Sequence, residues 1–369
     1  MKHLFTKLSY ARYLRFRQSA VAITGRLTPS IGRNNVTKTK TLATSLLSLS
    51  AAAILALVGT TSANAAPVNT TDSSGAAVSS HVVSDAGAAD YWTPERMKNA
   101  KSGEILAAKA LERGKLLNFG KAPVTEAPGA ISSIAGQPAA TDAKTIDRKV
   151  NQSETPVKHI GKIFFTLGGS NYVCSGNSVT AANKSTVSTA GHCLNEGPGA
   201  YATNFVFVPA YLNGAAPYGK WTAKALYAPT QWASNGNMQY DTAFAVMNTL
   251  NGQRLADVVG SSGVQFNAAR GLSYKAFGYP AGSPFNGESL KSCSGKATND
   301  PYNPQFNSQG IPCNMTGGSS GGPWFIGTSS TGYQNSVNSY GYGSNSTTMY
   351  GPYWGTVIQS TYNTAAAAS

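Results

Sequence analysis

From His159 onward the chain breaks into short apolar runs separated by Asn-Gly and Pro-Gly pairs. That pattern predicts strands rather than helices. Ile160–Thr166 reads as one strand, ended by Gly168-Gly169, and Tyr172–Val179 as the next. Phe205–Val208, Ala243–Met247 and Tyr353–Ile358 read as further strands. Many short strands over roughly 210 residues predict an all-β barrel or sandwich. No internal repeat is strong enough to imply a propeller. Composition agrees: only 12% of residues are charged, while Gly (39) and Tyr (18) are abundant, as suits a turn-rich extracellular β protein.

The first 65 residues are of another kind. They hold nine of the 29 Lys/Arg and none of the 15 acids, so +9 of the formal net charge of +14 sits there. A basic stretch precedes an apolar run, Leu42–Val58, and Ala63-Asn64-Ala65 supplies an A-x-A cleavage signal. A membrane anchor is the competing reading. The run is short and interrupted by Thr44, Ser45, Ser48 and Ser50, which favours export with cleavage. No Arg-Arg pair is present, so no twin-arginine signal is expected. The remaining +5 forms no basic stripe with interleaved aromatics, which argues against a nucleic-acid partner.

Export gives the cysteines their meaning. Cys174, Cys193, Cys293 and Cys313 are even in number, as expected for two disulfides in an oxidising compartment. Three pairings are open on spacing alone. The sequential one, Cys174–Cys193 and Cys293–Cys313, is favoured, each closing a loop worth about 3 kcal/mol in the chain-entropy model. No C-x-x-C or H-x-x-x-H cluster points to a metal, and no cofactor is expected.

Residues 66–150 read as a removable pro-segment with a linker, with a permanent spacer as the alternative. Thr93-Pro94 offers an N-cap followed by proline at the first helical position, with a helix through Met97. A second helix is expected over Glu104–Arg113, stopping at Gly114. Gly120–Thr145 is rich in Ala, Pro, Gly, Ser and Thr and reads as an exposed linker. The third region, 151–369, would hold the chemistry.

Acyl transfer by a serine needs a hydroxyl on a tight turn, a histidine to take its proton, and a buried carboxylate to fix the imidazole. Thr316-Gly317-Gly318-Ser319-Ser320-Gly321-Gly322-Pro323 fits the serine, although a Gly/Ser-rich surface loop is the bland reading. Only four histidines exist. His3 and His81 fall in the signal and pro-segment, and His159 heads a strand, where a solvated role is expected. His192 lies between small residues and Cys193. Of the acids that follow it, Asp241 enters the apolar strand Thr242–Val246, where an unpartnered carboxylate would be costly. Asp257, beside Val258-Val259, is the second candidate. Glu196, Glu288 and Asp300 sit in polar or turn-like contexts.

Thr189-Ala190-Gly191-His192-Cys193, Asp241-Thr242-Ala243 and Gly318-Ser319-Ser320-Gly321-Gly322-Pro323 resemble the three signatures of the trypsin-like (chymotrypsin-fold) serine peptidases, in that family's order His…Asp…Ser. The resemblance covers roughly residues 155–362. Trp92–Met97 also resembles leaders of secreted microbial members. The likeness implies a double β-barrel with a cleft between the barrels. It implies His192 as general base, Asp241 as its orienter, Ser320 as nucleophile, and the N–H groups of Gly318 and Ser320 as the oxyanion hole. Cys174–Cys193 corresponds to the family's disulfide behind the histidine. Ser339-Tyr340-Gly341 resembles the strand that pairs with substrate backbone, and Asn314 takes the position that floors the specificity pocket.

The departures are informative. Thr316 stands where animal members carry a cysteine. Asn314 is not the acid that trypsins need. No histidine follows Ser320, as glutamate-specific relatives require, and Ser319 replaces the aspartate that pairs with a new N-terminus. A preformed oxyanion loop is therefore expected, with mature forms starting anywhere from about Thr145 to Pro156 comparably active. The expected protein is a secreted monomeric endopeptidase acting on proteins or peptides, with no nucleic acid and no stable membrane association after signal cleavage. A catalytically inactive protease-like binding or adhesion protein is the alternative, and a structural wall protein is a third. Gly318-x-Ser320-x-Gly322 also satisfies the lipase-type elbow, but residues 321–369 contain no Asp, Glu or His, and that reading fails.

Overall fold

A computed structural model describes residues 68–71, 77–118, 129–137, 152–343 and 345–369. The export segment expected over residues 1–65 lies outside these. In chain order the first elements are β1 (Val68–Thr71), β2 (Ala77–Val82), α1 (Ala88–Tyr91), α2 (Pro94–Asn99), β3 (Lys101–Ser102), α3 (Glu104–Asn118), β4 (Ser132–Ile134) and β5 (Gln152–Ser153). Then come β6 (Ile160–Leu167), β7 (Ser170–Val179), β8 (Thr186–Thr189), β9 (Thr203–Pro209), β10 (Trp221–Pro229), α4 (Thr230–Ala233) and β11 (Ala243–Met247). The last are α5 (Leu255–Val259), β12 (Val264–Phe266), β13 (Ser273–Gly278), β14 (Lys291–Lys296), β15 (Thr298–Asn299), β16 (Gln309–Pro312), β17 (Pro323–Ile326), β18 (Gln334–Val337), β19 (Thr348–Gly351) and α6 (Thr356–Ala367).

Six strands close on themselves. β6 pairs β7, β7 pairs β8, β8 pairs β11, β11 pairs β10, β10 pairs β9, and β9 returns to β6, all antiparallel. Closure removes the free edges that would otherwise invite aggregation. The strands read as continuous apolar runs rather than alternating ones because both faces are covered. Ile163, Phe165 and Phe207 fill the barrel, while Phe164, Val206 and Val208 point outward onto Phe277, Tyr279 and Phe325 of the second lobe. That lobe holds a sheet in the order β4-β12-β18-β17-β13-β14-β5 and a three-stranded sheet β15-β16-β19. The architecture is the all-β double barrel expected.

The cysteines pair sequentially: Cys174 on β7 with Cys193, and Cys293 on β14 with Cys313. Four of the five expected strands are present within two residues of their expected ends. The fifth, Tyr353–Ile358, is a correction. Residues 353–355 are irregular and Thr356 opens helix α6. The β-branched and aromatic run suggested a strand, but Ile358, Tyr362, Ala365 and Ala366 recur at helical spacing and pack on Phe244, Phe266 and Trp354.

Among the described residues, the N-terminal region holds more secondary structure than a leader and linker suggest. Thr93 caps α2 as expected, its hydroxyl accepting the Arg96 N–H, with Pro94 at the first position. α3 runs on through Gly114 to Asn118, past the expected stop, because packing of Ala110 and Leu111 on the barrel outweighs one glycine's propensity cost. Within the stretch expected to be linker, β4 pairs with β12 and Gln137 bridges Ser261. Among the described residues no helix is long and apolar enough to cross a membrane.

Candidate active site

His192 lies in a 3-10 turn, Gly191–Cys193, at the end of β8, and the Cys174–Cys193 bond ties this turn to β7. Asp241 follows a second 3-10 turn, Met238–Tyr240, whose start is capped by the Asn237 side chain. Its side chain is fully buried and accepts three hydrogen bonds. Oδ1 takes the His192 backbone N–H at 2.8 Å. Oδ2 takes His192 Nδ1 at 2.8 Å and Ser339 Oγ at 2.5 Å. Three donors offset what burial of a carboxylate would otherwise cost. An ionised carboxylate only accepts, so the ring proton sits on Nδ1 and Nε2 is left as an acceptor. Nε2 is buried and has no hydrogen-bond partner among the described residues.

Ser320 stands on the turn that enters β17. Gly318 and Gly321 have φ of +97° and +79°, the left-handed region that side chains avoid. A Cβ on Gly321 would overlap Thr189 Oγ1 and Ser175 O, so only glycine lets this turn seat against the histidine's strand. Ser320 O accepts the Ser175 N–H at 2.7 Å and lies 3.9 Å from Cys193 Sγ, one residue from His192. Gly317 O accepts from the N–H groups of Ala281 (2.7 Å) and Gly282 (3.2 Å), and Gly318 O from Ser175 Oγ (2.9 Å). Ser319 Oγ turns back to Thr316 O at 2.7 Å. The backbone N–H groups of Gly318 and Ser320 have no acceptor among the described residues.

Beside the serine opens a cleft of about 100 Å³. Asn314, Met315, Ser346, Thr348 and Met349 line it, with Ser339, Tyr340 and Gly341 along one side, so the wall contributed by residues 314–349 carries no charge. Ser339 and Tyr340 are held by backbone bonds to Tyr350. The remaining wall was not expected in this form. Glu104, Ala107, Ala108 and Leu111 of α3 line the same cleft, and a Cβ on Gly317 would overlap Ser102 Oγ and Glu104 Cβ. β3 runs parallel to β7, the Gly103 N–H donates to Val173 O at 3.1 Å, and Arg113 reaches Glu196 O at 2.6 Å. Beneath this segment His192 is 1% and Ser320 5% exposed. The helix was legible in the sequence; its seat was not, because its small residues advertise no partner.

His159 is not solvated. It is buried with Nδ1 2.7 Å from Asn177 Oδ1, and burial pushes its pKa down. Asp257 sits on α5 in exposed ion pairs with Lys184 (2.8 Å) and Arg254 (3.4 Å), and the Lys184 hydrogen bond chiefly lowers its pKa. Ser339, read only as part of a substrate-pairing strand, also holds Asp241.

Solved structures similar to this chain include two proteases. A protease, Anisep from Arthrobacter nicotinovorans, is 95% identical over 59% of this chain and 100% of its own, with a TM-score of 0.59. A thermostable serine protease, AL20 from an extremophilic microorganism, is 50% identical over 57% of this chain and 98% of its own, with a TM-score of 0.56. No protein-family model and no curated protein matches the chain.

Proposed function

Because the chain belongs to the trypsin-like serine peptidases of chymotrypsin fold, we propose that it is a secreted endopeptidase that cleaves through His192, Asp241 and Ser320. Ser320 Oγ attacks the scissile carbonyl carbon while His192 Nε2 takes its proton. The oxyanion forms against the N–H groups of Gly318 and Ser320, and one such donor is worth about 10²–10³ in kcat. Collapse passes the proton from His192 to the leaving amine and leaves an acyl-enzyme. Water then repeats the sequence. The mechanism draws on protein groups alone.

The observation that carries this reading is the double hold of Asp241 on His192, through both the backbone N–H and Nδ1. It fixes the tautomer that presents Nε2 as a base. An inactive binding protein would have no need of it. The uncharged wall around Asn314 and Met315 supports cleavage after uncharged side chains rather than after Arg or Lys.

The cap of β3 and α3 supports a further element, synthesis as a latent precursor. Residues 66–150 would be the pro-segment and 151–369 the peptidase; that the protease 95% identical to this chain covers 59% of it, about the length of 151–369, supports such a division. The disulfides and the expected export signal support secretion, and the protein would act on proteins or peptides as a monomer. The test is labelling of Ser320 by a fluorophosphonate in precursor and processed forms, with the N-terminus of the processed form sequenced. Rapid labelling only after processing is expected. A processed, folded protein whose Ser320 stays unlabelled would leave the binding-protein reading standing.

A further inference from the structure

We propose that Lys162 is a positioning residue for the oxyanion hole: its buried ammonium hangs the loop Pro280–Glu288, and that loop fixes the peptide carrying the Gly318 N–H. The inference rests on the reading of Gly318 as an oxyanion donor.

Lys162 is 2% exposed in a strand whose other residues are nearly all apolar and buried. An ammonium persists there only with partners. Nζ donates to Gly287 O at 2.9 Å, lies 3.6 Å from Glu288 Oε1, and stands 4.5 Å from the centre of the Tyr211 ring. Both Glu288 oxygens accept from Tyr211 Oη, at 2.9 and 3.0 Å, and the Asn213 N–H holds Glu288 O at 2.9 Å. The far end of the loop is thus pinned to the barrel.

The loop closes on itself through the Gly287 N–H and Pro280 O at 2.7 Å. A Cβ on Gly287 would lie 2.9 Å from Ala281 Cβ and 3.1 Å from Lys162 Nζ, so the lysine packs directly under the loop's base. From that base the Ala281 and Gly282 N–H groups hold Gly317 O. Thr316 Oγ1 reinforces the join, donating to Gly282 O at 2.8 Å. In a planar trans peptide the C=O and the following N–H point in opposite directions. Gripping Gly317 O therefore aims the Gly318 N–H the other way, to the side of the nucleophile. The glycine pair 317–318 would turn freely without that grip. Ser319, uncharged and bonded within its own turn, supplies no ionic anchor of its own.

The experiment uses Lys162→Met, expressed as the full chain and recovered in processed form. Active sites are counted by fluorophosphonate titration. kcat per titrated site, KM, and Ki for a peptide aldehyde, whose hemiacetal oxygen occupies the oxyanion hole, are compared with wild type. A fall in kcat of about 10-fold or more is expected, with Ki raised by a similar factor and KM within about three-fold. Lys162→Gln, which keeps an N–H donor for Gly287, should recover part of both. If kcat per site and Ki match wild type in a folded variant, Lys162 merely supports the fold and the proposal falls. Should the Met variant not fold, the Gln variant is read in the same way. If wild-type Ser320 does not label at all, it is the peptidase reading that fails, whatever Lys162 does.

Discussion

Asp241 and Asp257 show how environment divides two equal side chains. Asp241 is fully buried under three donors, whereas Asp257 is 39% exposed beside Lys184 and Arg254. Asp241→Asn would turn an amide toward Nδ1 and favour the wrong imidazole tautomer, so kcat should fall by about 10⁴, the magnitude familiar for the trypsin-type triad. Asp257→Asn should leave kcat within about two-fold, and the reverse order in a steady-state assay would refute the assignment. This much was legible in the sequence, because only one histidine lies between the start of the strands and the serine turn, and only one acid enters an apolar strand. Lys162 was not legible, since a lysine's burial depends on tertiary packing. Burial pushes its pKa from 10.5 down to about 8, with Glu288 partly opposing. The unfolded chain thus binds more protons between those values, and stability should rise with pH there. The neighbouring phenols Tyr211 and Tyr279 are pushed upward and stay neutral through that window. Melting wild type and Lys162→Met from pH 7.5 to 9.5 should show the wild type gaining relative to the variant. A pH-independent difference would mean that Lys162 does not titrate there.

Among the elements, the barrel strands announced themselves because burial on both faces leaves long apolar runs, and Gly-rich turns mark their ends. Helix α6 did not, since its first turn, Thr356-Val357-Ile358, has strand composition and its helical stripe emerges only with Tyr362 and Ala365. Ile358→Ala should cost about 2–5 kcal/mol in urea unfolding, the range for a fully buried aliphatic side chain. A loss under 1 kcal/mol would place the helix outside the cooperative unit. The second element with a testable role is α3. Ala110 is fully buried against the barrel, so Ala110→Asp would put an unpaired carboxylate into apolar surroundings. The helix should then leave its seat, and unprocessed precursor carrying Ala110→Asp should react with fluorophosphonate at least about ten times faster than wild-type precursor. Equal rates would show that α3 does not restrict access.

Across the whole molecule, the N-terminal region touches both lobes. β2 extends the first barrel along β10, β4 extends the second sheet along β12, and Trp92 is buried with Phe164 and Tyr211, its indole N–H bonded to Asn204 O at 2.6 Å. If the pro-segment is removed as proposed, where the cut falls matters for the part that remains. The sequence predicted equal activity for any start from about Thr145 to Pro156, because Ser319 offers no partner for a new terminus. The structure narrows the prediction for stability at one residue. Glu154 Oε1 lies 2.7 Å from Lys275 Nζ, both side chains only 6% exposed, and it also accepts from Ser292 Oγ at 2.5 Å. The Glu154 N–H is held by Leu290 O. Starts at or before Ser153 keep this cluster. A start at Thr155 removes the carboxylate and leaves the Lys275 ammonium buried with the Phe277 ring 5.0 Å away. An orphaned buried charge costs about 3–5 kcal/mol, a large part of a stability of about 5–15 kcal/mol. Defined forms starting at Asn151 and at Thr155 should therefore differ by roughly that amount in urea unfolding, while kcat/KM per titrated site stays within about three-fold, since the cluster touches neither the oxyanion turn nor the Gly317 grip. Equal stabilities would show that Lys275 finds another partner or sheds its proton, and a selective loss of kcat/KM would mean that the terminus belongs to the active site after all.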